Sequence, residues 1–180
     1  MNAPESILQF WFEEIDRALW FKKDDEFDQL LEVRFGALHT QASQGELHAW
    51  RSTAQGRLAE VIVLDQFSRN LFRNSAKAFA QDGMALVLAQ EAVHVGADAE
   101  LSQVERTFLY MPFMHSESLA IHDIAVELFT ANGAQNNLNF ELKHKAIIEQ
   151  FGRYPHRNTV LGRVSTPAEI EFLSQPGSSF

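Results

Sequence analysis

The stretch RLAEVIVLDQFSRNLFR, residues 57–73, decides the fold. It contains VIVL at 61–64, the chain's one β-branched run, which in isolation reads as a buried strand. Its neighbours argue otherwise. At about 100° per residue, Asp65, Gln66, Arg69, Asn70 and Arg73 fall within about 140° of arc, with Val63, Leu64, Phe67 and Leu71 opposite. A single helix over 57–72 explains both halves, so the β-branched run lies inside a helix that is apolar nearly all round and therefore central.

Helical spacing continues in both directions. Pro4 opens a first segment with Ile7, Leu8, Trp11, Phe12 and Ile15 on one face. Trp20 and Phe21 plug a connection before a helix from about residue 24, which carries Phe27, Leu30, Leu31, Phe35 and Leu38 in step. Leu47 and Trp50 mark a short element. Further helices are expected over 76–95, from Ser102 to a break at Pro112, over 116–131, over 137–151 and after Thr166-Pro167. Ser102 with Glu105, and Thr166 with Glu169, read as capping boxes. The expectation is an all-α fold: one domain over 1–180 with about seven or eight helices as antiparallel pairs, and a tail at 175–180 that frays.

Composition narrows the class. With 180 residues, 46% of them hydrophobic and 22% charged, the chain can bury a sizeable core. There are no cysteines, which excludes disulfides, thiolate zinc sites and cysteine nucleophiles and suits a reducing cytosol. The net charge of −9 argues against nucleic-acid binding, which needs a basic face. No apolar run approaches a membrane span, and Glu13, Glu14 and Asp16 on the first helix disfavour an anionic membrane surface. MNAPESILQFWF lacks a basic region ahead of its apolar stretch, so a secretory signal is not expected and the chain reads as cytoplasmic.

Three segments carry polar residues that helix packing does not require. The first is the polar face at 65–73, where Asp65 and Arg69 can pair at i,i+4; the plain alternative is a solvated face with one surface ion pair. The second is FLYMPFMHSES, residues 108–118. There Ser116 can cap the next helix and Glu117 suits its dipole, leaving His115 and the hydroxyl of Tyr110 without a local role. The third is FGRYPHRN, residues 151–158, where Gly152 and Pro155 stop a helix. Arg153 and Arg157 there could satisfy its last carbonyls, which leaves His156, Asn158 and the nearby Arg163 unexplained.

LDQFSRNLFR, FLYMPFMHSE and FGRYPHRNTVLGRVSTPAE, together with FWFEE and WFKKDDEFD, resemble the bacterial domain-of-unknown-function family numbered 924 over essentially the whole chain. The resemblance implies an all-helical fold of the tetratricopeptide-like superfamily type and supplies no activity. The family pattern has proline where this chain has Ser68, so here the helix is expected to run on without a kink. It has glutamine near the position of His122, and no family-wide catalytic role attaches to that histidine.

The expected site is one cleft for a small anionic or polar molecule. Arg69, Arg153 and Arg157 would supply charge-assisted donors, and Asp65 would orient Arg69. Gln66, Asn70, Tyr110 and Asn158 would add directional hydrogen bonds. His115 with Glu117, and His156, would serve as general acid or base if chemistry occurs, hydrolysis being the plainest cofactor-free reaction. No cofactor is expected, and with no nucleophile motif and no phosphate loop the sequence leaves open whether the protein is an enzyme.

A metal hydrolase built on His122-Asp123 with His94 lacks a later aspartate; a looser set is His115, Glu117 and His144. A groove for a peptide carboxylate and a ligand-free polar network are the remaining alternatives.

Overall fold

The computed structural model describes residues 3–180, and among them there is no strand. The helices are α1 (Pro4–Gln9), α2 (Asp25–Ser43), α3 (Ala54–Ile62), α4 (Ser68–Leu71), α5 (Asp82–His94), α6 (Gln103–Met114), α7 (Leu119–Asn132), α8 (Gln135–Phe151) and α9 (Pro167–Leu173). None is long and apolar enough to cross a membrane.

VIVL is helical, and α3 and α4 form one rod. They are joined by a π turn at Val63–Phe67, all five residues of which are buried. Ser68 holds helical dihedrals (φ −55°, ψ −41°), so the rod passes the position without a break. Its hydroxyl donates to the Leu64 carbonyl and accepts from His39 Nε2 at 2.7 Å. A proline could make neither bond.

The main core gathers around this rod. Trp11, Phe10, Phe27, Phe35, Phe67 and Phe108 interlock with ring centroids 4.9–6.4 Å apart. Such pairs contribute about 0.5–1.5 kcal/mol each beyond the area they bury. Trp20 anchors the first connection by donating from Nε1 to the Trp11 carbonyl at 2.9 Å. Phe21, expected beside it as a plug, is 72% exposed. A smaller cluster of Ile147, Ile148 and Tyr154 seats α8. Residues 133–134 alone separate α7 from α8, with Gly133 in the left-handed region (φ 76°), so the chain doubles back there.

Both capping boxes form, each with its two reciprocal bonds. Other boundaries depart from expectation. α6 does not stop at Pro112; it runs to Met114, because a proline in the last turn forfeits only one ladder bond. The helix expected over 76–95 is a 3-10 turn, Ala76–Phe79, followed by a bend and then α5. α7 begins at Leu119 rather than 116. Ser116 lies two residues before the N-cap position, Ser118, and so does not cap it; its carbonyl accepts from His122 Nε2 at 2.8 Å. The tail also folds back instead of fraying. Ser178 is buried and donates to the Leu173 carbonyl, which brings Phe180 against His144 and His156.

Candidate functional site

The late start of α5 shapes the site. The bend after Phe79 puts Asp82 in the first helical turn, where its carboxylate meets two arginines from distant segments. Arg69 donates to both oxygens, at 3.0 and 3.1 Å. Arg157 donates from Nη1 to Oδ2 at 3.2 Å. Arg157 also donates from Nη2 to the His115 carbonyl at 2.9 Å. Thus the three polar segments of the sequence meet, and Asp82 joins two of them.

Asp65, on the π turn, is wholly buried. Its Oδ1 lies 2.7 Å from His115 Nδ1 and 3.3 Å from Arg69 Nη1, and its Oδ2 accepts from Gln66 at 2.6 Å. Burial pushes this carboxyl up, but His115, Arg69 and the Gln66 bond together hold it below the usual carboxylate range. Burial and the Arg69 charge pull His115 below its ordinary value, against the opposing pull of Asp65. The consistent state is an anionic Asp65 accepting from Nδ1–H of a neutral His115. This tautomer leaves Nε2 as a lone-pair acceptor. Among the described residues nothing bonds that Nε2.

His115 lines a cavity of about 660 Å³, which is within the range of small-molecule sites. Of the residues expected at the site, Gln66, Arg69, Asn70, His115, His156 and Arg157 line it, with Asp65 directly behind His115. Trp20, Phe21, Phe79, Phe140 and Phe180 supply aromatic surface. Lys22, Lys23 and Arg73 bring the cationic side chains on the wall to five, and among the described residues no aspartate or glutamate lines it. The carboxylates stand behind the wall. Asp28 takes Arg73 in a two-pronged pair (2.6 and 2.8 Å) and accepts from Asn70, while Asp82 holds Arg69 and Arg157.

Arg157 is 5% exposed, lying 4.4 Å from the Phe79 ring centre and 4.7 Å from that of Tyr154. Burial lowers its pKa from the ordinary value, and its Nε–H is buried without a partner among the described residues. His156 Nδ1 is in the same condition. Buried polar atoms without partners are uncommon, and two of them belong to residues on this wall.

Four expected residues lie away from the cavity, each with its bonds taken up elsewhere. Tyr110 donates to Asp98 at 2.6 Å. Glu117 accepts from Arg163 at 2.7 and 2.9 Å and from the Tyr154 backbone N–H at 2.7 Å. Burial raises Glu117, but these donors hold it below its ordinary value, so it has no proton to give. Arg153 pairs with Glu169 at 2.6 and 2.8 Å. Asn158 bonds Ser165 and Arg163. These contacts explain the donor-rich stretch at 151–163: most of its polar side chains stitch the turn to α9 and to Glu117, and among them His156 and Arg157 reach the cavity, with the apolar Val160 beside them.

Neither histidine-carboxylate arrangement survives as a metal set. His122 is buried with Nδ1 2.6 Å from Glu141, whereas Asp123 points outward to Lys145 at 2.9 Å. Glu117 is committed to Arg163. Among the described residues no three histidine or carboxylate groups are placed to hold a metal ion.

An all-α bundle whose helices enclose a cation-lined pocket is the class that fold and geometry define. The chain belongs to the family of bacterial proteins of unknown function (DUF924), whose profile matches residues 7–177. A protein of unknown function from Agrobacterium tumefaciens, ATU0120, has a solved structure that superposes with a TM-score of 0.90. It is 38% identical, over 95% of this chain and 96% of that one. No curated protein matches the chain.

Proposed function

We propose that the protein binds a small organic anion in the cavity between α4, α6, α8 and the turn at Pro155–Arg157. One observation carries this reading: five cationic side chains and, among the described residues, no aspartate or glutamate line the pocket of a protein whose net charge is −9. Long-range electrostatics repel anions from such a chain, so a local cationic wall is the feature that composition does not explain. Arg157 and Arg69 would engage the anionic group, and Gln66 and Asn70 would supply directional polar contacts. A volume near 660 Å³ suits a metabolite better than an extended peptide. The acidic, cysteine-free composition fits action in a reducing cytosol.

The test is thermal unfolding with acetate, citrate, methyl phosphate and phenyl phosphate against sodium chloride of equal ionic strength. Binding to the folded state raises the melting temperature in a saturable way. At least one anion is expected to do so, and the shift is expected to vanish in Arg157→Gln. Flat responses to every anion would end the proposal.

A second reading, acid–base catalysis, is favoured by the Asp65–His115 pair. An anchored, neutral histidine with a free Nε2 at the pocket wall has the arrangement of a general base, with Asp65 fixing its tautomer. Hydrolysis would require that base to take a proton from water beside the bound anion. Product formation from a bound ester, abolished in His115→Gln while binding persists, would establish this reading.

A further inference from the structure

At one end of the cavity, opposite in character to the cationic wall, Phe180 inserts its ring among aromatic neighbours. Its ring centre lies 3.8 Å from that of His144, 4.6 Å from His156 and 5.2 Å from Tyr154. Yet Phe180 as a residue is 53% exposed, so its contacts do not bury it. Among the described residues, the hydrogen bond that tethers its segment is made two residues earlier, where Gly177 adopts φ 78° and the Ser178 hydroxyl donates to the Leu173 carbonyl at 3.1 Å. A lightly held ring covering a preformed aromatic slot is a replaceable occupant.

The slot suits an uncharged ring. Burial pushes His144 down to about 3 and His156 down to about 4, so both imidazoles are neutral near pH 7 and present flat, weakly polar faces. His144 Nδ1 is fixed against the Phe140 carbonyl at 2.7 Å, which sets its plane. One side chain, buried behind the wall, touches both ends of the pocket. The Tyr154 ring meets Phe180 edge-on and also packs against the Arg157 guanidinium.

We infer that the ligand is a planar aromatic ring carrying one anionic group, the ring taking the slot between His144, His156 and Tyr154 and the anion reaching Arg157, with Phe180 leaving when it binds. This inference rests on the anion-binding reading above and adds the aromatic requirement to it. Carboxylate and phosphate share the chemistry that Arg157 recognises, so the head group is decided by measurement.

The experiment pairs phenylacetate with acetate and phenyl phosphate with methyl phosphate, following tryptophan fluorescence of the full chain, in which Trp20 lies on the cavity wall. An aromatic member is expected to bind at least about tenfold more tightly than its partner, given the apolar area a ring removes from water. In Phe180→Ala, aromatic ligands are expected to bind about threefold to tenfold more tightly, and acetate and methyl phosphate are expected to be unchanged. Phe180→Leu, which keeps an apolar side chain at the position, should fall between. Proton spectra of the His144 and His156 rings should shift on phenyl ligand binding as the Phe180 ring departs. Equal affinity within both pairs would overturn the aromatic requirement and leave the anion reading standing. Aromatic affinity that falls in Phe180→Ala would overturn the displacement, because Phe180 would then be part of the site. Absence of binding by all four compounds would overturn both readings.

Discussion

Asp65 Oδ1 and His115 Nδ1 lie 2.7 Å apart although fifty residues separate them in the chain. The pair joins the π turn of the central rod to the end of α6, and the cationic wall is assembled on top of it. Asp65 also faces Arg69 and Gln66, so one buried carboxylate neutralises or orients three side chains. Removing its charge leaves Arg69 short of a partner in a poorly solvated place. Asp65→Asn is therefore expected to lower unfolding free energy by about 3 kcal/mol, the scale on which breaking one side of a buried ion pair is felt. Urea unfolding at pH 7 checks this, and a midpoint equal to wild type would show that the pair is dispensable.

Asp82 competes with any bound anion for the same guanidiniums. It occupies Arg69 with both oxygens and Arg157 with one, so part of the wall's positive charge is already answered from within. Asp82→Asn retains the shape and removes the competing charge. Anion affinity is expected to rise by about tenfold, well inside the ~4 kcal/mol Coulomb energy of unit charges about 4 Å apart at an effective dielectric near 20. Stability is expected to fall at the same time by about 1–3 kcal/mol, since the buried Arg157 and the half-buried Arg69 lose their acceptor's charge. Titration calorimetry with the anion that stabilises the wild type, combined with urea unfolding, measures both. Weaker binding in the variant would mean that Asp82 organises the arginines more than it opposes the ligand.

Ser68 does for the rod what a proline could not. Its hydroxyl closes on the Leu64 carbonyl and receives the buried His39 ring. Ser68→Ala leaves His39 Nε2 without that partner and should cost about 1–3 kcal/mol. The paired variant His39→Leu in the Ser68→Ala background should recover part of the loss, because an apolar pair of similar shape leaves no buried donor. A double-mutant cycle reads the coupling directly.

What the sequence made legible follows the range of the interactions. Capping boxes at Ser102/Glu105 and Thr166/Glu169 close within three residues, and the stop at Gly152 is local, so the helices were readable. The π turn was not, because helical periodicity at 100° per residue cannot register one extra residue in a turn. Nor was Asp82, hidden in what reads as a mid-helix position until the bend after Phe79 is known. Arg153 and Asn158 looked like site residues because a turn shows its donors and conceals their acceptors. Glu169 and Ser165 lie 16 and 7 residues further along. Lys22 and Lys23 carry no pattern of their own in the sequence, and Phe180 lies in the stretch expected to fray. Both reach the cavity only through contacts that no spacing encodes.

Acid is expected to unfold this protein earlier than its carboxylates alone would require. His156 titrates at about 4 and His144 at about 3, against an ordinary 6.5, because burial disfavours the imidazolium; His115 and His39 are lowered in the same direction. The unfolded chain therefore takes up protons just below pH 6.5 while the folded chain does not. Stability from these groups is complete above 6.5 and declines as the pH falls, until His156 protonates near 4 and His144 near 3. At 1.36 kcal/mol per pH unit each group contributes a loss on the order of 3–5 kcal/mol across its window, and two of them consume much of the ~5–15 kcal/mol typical of a domain. The carboxylates of Asp65 and Glu117, held below their ordinary values by their cationic partners, add a second decline only below about pH 4.5. Urea midpoints at pH 7, 6 and 5 should thus fall steadily before any of those carboxylates titrates. His144→Asn and His156→Asn should each flatten that slope by up to one proton. A wild-type midpoint that stays constant from pH 7 to 5 would mean that these rings charge freely in the folded protein, and that the slot they form is wetter than its contacts indicate.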